Sequence, residues 1–266
     1  MLRSMYSGIG GMKNFQIKLD VIGNNIANVN TYGYKKGRTT FKDLVSQQIA
    51  GASAPGGTTG GVNPKQVGLG SQLGSIDTIH TQGSLQTTGR PLDLGISGDG
   101  YFKVTDGTSE YYTRAGNFYL DANGDIVNSD GLYLVDSTDN SPINVPTDSQ
   151  SFSIAKDGTI NIISATPPAT QIIGLVKFPN PEGLEKAGDN LYRESPNSSQ
   201  AGTPVVPVAP GTGGTGTLVS GALEMSNVDL SEEFTDMIVA QRGFQANTRI
   251  ITTSDEILQE LVNLKR

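Results

Sequence analysis

Cysteine and tryptophan are absent from this chain of 266 residues, and histidine occurs once, at His80. Without cysteine there are no disulfides and no thiolate metal sites, a composition that suits a chain held unfolded in transit or placed outside the cell. Aromatic residues make up only 6% and charged residues 17%. No apolar run approaches the roughly 20 residues of a membrane span, so membrane insertion is not expected. The N-terminal Met1-Leu2-Arg3-Ser4-Met5-Tyr6 lacks the basic region, apolar core and small-residue cleavage site of a Sec signal; export, where it occurs, is expected by another route. The net charge of −7 opposes nucleic acid and acidic membrane surfaces. Lys35, Lys36, Arg38 and Lys42 form one basic cluster, read as a solvated turn and helix face.

Chemistry-bearing constellations are equally sparse. His80 has Asp77 three residues before it, too few ligands for zinc or a triad, and is expected at the surface or a β-edge. The run Gly211-Thr-Gly-Gly-Thr-Gly216 matches a phosphate-loop pattern, but a Pro-rich stretch precedes it and no helix follows; it reads as a loop. Asp121-Ala-Asn-Gly-Asp125 has its glycine too early for a calcium loop and reads as a hairpin turn. No cofactor and no enzymatic activity are expected.

The chain is rich in glycine, with 34 residues, and in helical spacing at its two ends. Leu2, Met5, Ile9, Met12, Phe15, Leu19, Ile22, Ile26 and Val29 recur at spacings of three and four, one face of a helix. Near the other end Met237, Phe244, Ile251 and Leu258 stand at seven-residue steps, widened by Phe234, Ile238, Leu261 and Val262 into a coiled-coil seam. Asp229 is placed to cap that helix with Glu232 three residues on, and Lys265 and Arg266 sit at the negative end of its dipole. From Asp229 to Lys265 the helix would measure about 55 Å. Gly8, Gly10, Gly11 and Gly23 weaken the first helix; Gly243 and β-branched Thr248, Ile250, Ile251, Thr252 and Thr253 weaken the second. Both are expected to depend on packing.

Between the helices the pattern changes to short apolar runs divided by Asn-Gly and Asp-Gly turns, the mark of antiparallel β-structure. Strands are predicted at 101–104, 111–114, 118–120, 126–127, 132–135, 152–154, 160–163, 171–178 and 218–225, with a loop over 195–217. Residues 51–61 read as a flexible or irregular connector. The expected fold class is α+β multidomain: long terminal helices forming a coiled-coil inner domain plus an antiparallel β-rich outer domain. The divisions are residues 1–30 with 227–266 for the inner domain, 31–70 for an extended connector and 71–226 for the outer domain.

Read as strings, these segments resemble the bacterial flagellar axial family of rod, hook and hook-associated proteins. Asn24-Asn25-Ile26-Ala27-Asn28-Val29-Asn30-Thr31-Tyr32-Gly33-Tyr34-Lys35 resembles its rod-protein signature. Similar too are Gly98-Asp99-Gly100-Tyr101-Phe102, Tyr112 to Phe118, Asn190 to Glu194 and Ser226-Asn227-Val228-Asp229-Leu230. The run Met237 to Asn247, with Gln241 and Arg242, completes the set in the family's order. The resemblance implies a helical homopolymer, junctions with other flagellar axial proteins, a hook cap during assembly and export by the flagellar type III apparatus. It places the chain in the hook or basal body. Glu256 to Arg266 and Gly89 to Leu94 look more like the hook subunit. The stretch from Phe41 to Gly70 and the lack of a large extra β-domain look more like the distal rod. The hook is the favoured expectation and the distal rod the alternative. A reading of another class is a secreted β-rich adhesin or glycan-active enzyme.

Overall fold

A computed structural model describes residues 2–56, 60–138, 141–163, 170–199 and 205–264. The side chain of Leu2, and Lys265 and Arg266 with the dipole role expected of them, fall outside the described residues. The class is α+β: a helix at each end and antiparallel strands between. The chain divides into two compact units, one of residues 1–27, 37–77 and 229–266, the other of residues 28–36 and 78–228.

The first unit holds helix α1, Leu2–Ala27, and helix α2, Leu230–Leu264. At 35 residues α2 measures about 52 Å. It begins where Asp229 places Oδ1 2.8 Å from Ser231 N and 3.4 Å from Glu232 N, so a carboxylate accepts from orphan donors of the first turn. Paired strands lie before residue 51 and after residue 64, on either side of the stretch read as an irregular connector. Gly37–Asp43 pairs with Ser71–Thr78, and Ser46–Ala50 pairs antiparallel with Lys65–Gly68. A Ser53–Val62 bridge carries that ribbon toward its tip. Both strands of the ribbon are exposed along their whole length, so they lack the alternation that would have announced them in the sequence. These residues group with the helices, and the units divide at 27/28, 36/37, 77/78 and 228/229.

The second unit is built on an antiparallel sheet whose central strand is Tyr101–Thr105. That strand pairs with Glu110–Thr113, Tyr133–Leu134 and Leu175–Val176. Further out lie Leu191–Arg193 and Glu185–Gly188 on one side, Ile126–Val127 and Tyr119–Leu120 on the other. Successive side chains of a strand point to opposite faces, and here both faces are covered. Phe102 and Val104 enter one core with Leu94, Ile96, Phe118, Ile143 and Leu218. Tyr101 enters the other with Tyr112, Val176, Phe178 and Tyr192.

Two predicted strands are each broken in two. Within 171–178, Gln171–Ile172 pairs with Thr159–Ile163 and Leu175–Val176 with Tyr101–Thr105. Within 218–225 the break is at Gly221, whose φ of +75° turns the chain. Thr217–Ser220 then pairs with Leu94–Ser97, and Ala222–Glu224 with Leu85–Thr87. The Asp121–Asp125 turn closes a hairpin as expected, with Asp121 N donating to Asp125 O at 2.9 Å. The Gly211–Gly216 run is a closed loop, with Gly211 N donating to Gly216 O at 2.9 Å, and a strand follows it.

Candidate assembly interface

Helices α1 and α2 lie antiparallel in the first unit. Gly8 faces Ile251, Gly11 faces Asn247, Phe15 faces Gly243 and Asn25 reaches Glu233. Along α2 the residues turned to α1 fall into two heptad rows. The apolar row is Met237, Phe244, Ile251 and Leu258, all half-buried. The second row is Glu233, Ala240, Asn247 and Ser254; all but the half-buried Asn247 are buried. Together the rows alternate at spacings of four and three, the a and d positions of a coiled coil. The sequence pattern shows the apolar row; the deeper row is small or polar.

Two of the glycines that weaken the helices, Gly11 and Gly243, are where the pair is tightest. A Cβ on Gly11 would stand 2.8 Å from Asn247 Nδ2, and one on Gly243 would stand 2.5 Å from Phe15 Cζ. Their cost in helix propensity is offset by close approach. Asn25, 2% exposed, closes the end of the seam. Its Nδ2 donates to Gly37 O at 2.9 Å and to both carboxylate oxygens of Glu233 at 3.2 Å, while Oδ1 accepts from Gly37 N at 2.9 Å. Glu233 lies in the first turn of α2, where the helix dipole favours a negative charge.

The seam residues expected on α1 are unevenly placed. Ile22 is buried, Met5, Met12, Leu19 and Ile26 are half-buried, and Ile9 is exposed. On α2, Phe234, Ile238, Leu261 and Val262 lie outside the pair and are exposed, as are Leu230, Val239, Ile250 and Ile257. Among the described residues, the only large hydrophobics left exposed in the second unit are Tyr32, Tyr119, Leu120, Ile163 and Val206. All the others belong to the first unit, whose own buried hydrophobic residues, among those described, are only Ile22 and Ala240. A helix pair and a two-stranded ribbon with so little interior are only marginally stable alone in water. Apolar surface of this extent marks an interaction site.

The signature residues divide by role. Asn28 shapes a turn, its Oδ1 accepting from Thr31 Oγ1 at 3.1 Å. Gly33 has φ +69°, and a Cβ there would meet the backbone of Arg114 and Ala115 at 2.6 Å, so only glycine fits. Asn227 accepts from Lys36 N and donates to Ile79 O, both at 2.8 Å. Val228 is half-buried beside it in sequence, while Asn24, Ala27, Gln241 and Arg242 are exposed.

Two readings of the basic and histidine residues are corrected. Lys35 is fully buried in the second unit, not part of a solvated face, and Arg38 lies on a strand, 3.4 Å from Asp77. Lys35 Nζ lies 2.5 Å from Glu224 Oε1, and Arg114 Nη1 lies 3.1 Å from Glu224 Oε2. Gly83 N also donates to Glu224 Oε1, Gly33 N donates to the Glu224 backbone carbonyl, and Lys35 Nζ donates to Thr81 O. Burial holds the Lys35 ammonium below its ordinary pKa, opposed in part by Glu224. His80 sits at no edge: its ring contacts those of Tyr101 and Tyr192, and Tyr101 Oη lies 2.6 Å from Nδ1. Burial, then the charges of Lys35, Lys186 and Arg114, lower its pKa to about 4. Among the described residues no group of acidic, histidine or cysteine side chains could hold a metal ion, and no helix is long and apolar enough to cross a membrane.

Three family models match the chain. Residues 5–35 match the flagella basal body rod protein, 95–162 the flagellar hook protein FlgE/F/G D1 domain, and 219–264 the flagellar basal body rod FlgEFG protein C-terminal segment. The flagellar basal-body rod protein FlgG of Bacillus subtilis is 64% identical over 269 aligned residues, covering all of both chains. That of Buchnera aphidicola from Acyrthosiphon pisum is 38% identical over 99% of this chain and all of its own. The flagellar hook protein FlgE of Borreliella burgdorferi is 31% identical, but its alignment runs to 445 residues while covering all of this chain, so the hook protein carries a large additional segment.

Proposed function

Since the chain belongs to the flagellar rod and hook protein family, as an axial structural subunit, we propose that it is the distal-rod subunit of the basal body, the drive shaft that polymerises between motor and hook. The observation that carries polymerisation is the first unit's exposed apolar surface, far larger than its own interior. Copies of the same chain are the occupants that fit a repeating shaft, and the contacts are heterologous, head to tail, because only those build an open helical polymer. In this reading residues 1–30 and 227–266 form the inner layer of the tube, and the β-rich unit lies outside.

The rod is preferred to the hook suggested by the segments Glu256 to Arg266 and Gly89 to Leu94. What supports it is the full-length match to rod-named relatives and the extra length of the hook-named ones. Other axial proteins at the rod ends, a cap during growth and the type III export apparatus are the partners of such a subunit, and the envelope is its place. An adhesin or glycan-active enzyme would instead be a soluble monomer. Electron microscopy of concentrated purified protein decides between filament and monomer. Basal bodies from cells lacking the gene decide between rod and hook: a shaft truncated inside the envelope supports the rod, and loss of only the curved segment outside refutes it.

A further inference from the structure

Helix α2 carries exposed apolar residues on two flanks, and the two flanks are apolar at opposite ends. Leu230, Phe234 and Ile238, spaced by four, lie along one flank; past Ile238 that flank continues with polar Gln241, Gln245 and Thr252. Ile250, Ile257, Leu261 and Leu264, at steps of seven, four and three, lie along the other, with Val239 further back on the same flank. At about 3.6 residues per turn the two stripes stand roughly 150° apart, one on each side of the seam with α1.

Between the stripes, pointing away from α1, a charged ridge changes sign along its length. Arg242 and Arg249 come first, Glu256 and Glu260 after them, and all four are exposed. Among the described residues none of the four has an ion-pair partner within the chain. The ridge is therefore basic just past the first stripe and acidic beside the second. Asp229, Glu232 and Asp236, which would repel an acidic ridge, lie on the side of α2 away from Leu230, Phe234 and Ile238, and Asp236 is held by Lys18 at 3.3 Å.

We propose that the two stripes are the two halves of one contact between parallel copies of this chain. The flank of Leu230, Phe234 and Ile238 on one copy packs against that of Ile257, Leu261 and Leu264 on the next, which is shifted along the helix axis by roughly 30–40 Å. That shift brings Arg242 of the first copy within about one helical turn of Glu260 of the second, so opposite charges flank the meeting apolar residues. Because the halves lie on different flanks, each copy keeps one half for a further copy, and the contact propagates instead of closing as a dimer. The assignment rests on the polymerisation proposed above and adds to it which surfaces meet.

The absence of cysteine makes the contact traceable. Ile238→Cys and Leu261→Cys chains are mixed, co-assembled with an excess of wild-type chain so that neither substitution governs filament formation, and treated with a short bis-maleimide. Mixed dimers are expected to exceed dimers of either variant with itself several-fold. Arg242→Glu should slow assembly about tenfold at low salt, and Glu260→Arg in the same chain should restore most of the rate. High salt should erase the difference, because the charges lie at the rim. Filaments in which mixed dimers are no more abundant than same-variant dimers overturn the pairing and leave polymerisation standing. An Arg242→Glu chain that assembles as fast as wild type, or that Glu260→Arg does not rescue, likewise overturns the pairing. A wild-type chain that stays monomeric at every concentration overturns polymerisation and the pairing with it.

Discussion

The ring of Phe15 on α1 occupies the space where a side chain at position 243 of α2 would begin, with Cζ 2.5 Å from the Cβ that Gly243 lacks. Gly23, on the same helix as Phe15, has nothing within 4 Å of its missing Cβ. The two glycines should therefore respond to alanine with opposite signs. Gly243→Ala should cost about 1–3 kcal/mol by overpacking, less the roughly 1 kcal/mol gained in helix propensity. Gly23→Ala should stabilise by about 0.4–1 kcal/mol. Helical circular dichroism during urea unfolding measures both; a stabilising Gly243→Ala would refute the close packing.

Exposed and half-buried apolar residues of α2 should separate assembly from stability. Phe234 is 51% exposed, so Phe234→Ser should change monomer stability by no more than about 0.5 kcal/mol while polymerisation fails. Phe244 lies within the helix pair, and Phe244→Asp should lose both, because an unpaired carboxylate there is costly to bury. Sedimentation and electron microscopy beside denaturant curves give the comparison.

Glu224 neutralises two buried cations, so Glu224→Gln should destabilise the β-rich unit by about 3–5 kcal/mol. Near-ultraviolet circular dichroism, which reports its buried tyrosines, would follow the transition. A loss under 1 kcal/mol means the carboxylate is not what holds the cluster.

Acid should weaken the same unit through His80. Its pKa is lowered from 6.5 to about 4 on folding, so the unfolded chain binds the proton first. The stability is present above pH 6.5 and is lost as pH falls toward 4, by about 3 kcal/mol at 1.36 kcal/mol per pH unit. Urea midpoints between pH 7 and 4 measure the slope, and His80→Phe should flatten it.

Hydrogen exchange on the monomer should find the two helices fast and the β-rich core slow. The contrast follows from Ile22 and Ala240 being the only buried hydrophobic residues among those described in the helix-bearing unit. Strong protection of both helices before assembly would refute it.

How much of this was legible in the sequence depends on which force shapes each element. The helices could be read because α1 and α2 repeat apolar residues at three and four, and the heptad row from Met237 to Leu258 was visible for the same reason. Its companion row of Glu233, Ala240, Asn247 and Ser254 was not, since a search for apolar periodicity passes over small and polar residues. Lys35 looked like one lysine among several because its partner Glu224 stands 189 positions away. The Ser46–Ala50 and Lys65–Gly68 ribbon was hidden because no face of it is buried within the chain. Gly11 and Gly243 were legible only as weak points of their helices, when their role is proximity.

A unit that keeps its greasy surface outside and almost nothing within has a stability set by its neighbours. In the monomer the α1–α2 pair draws on Ile22, Ala240 and a thin seam; each adjoining copy would lend the interior it lacks. Its stability then rises with protein concentration and with the number of sides covered. A copy landing out of register would be covered on fewer sides and would fray and depart, whereas one seated in register would be locked by completion of its own fold. In a shaft built this way, proofreading would require no separate factor, because correct placement and correct folding would be the same event.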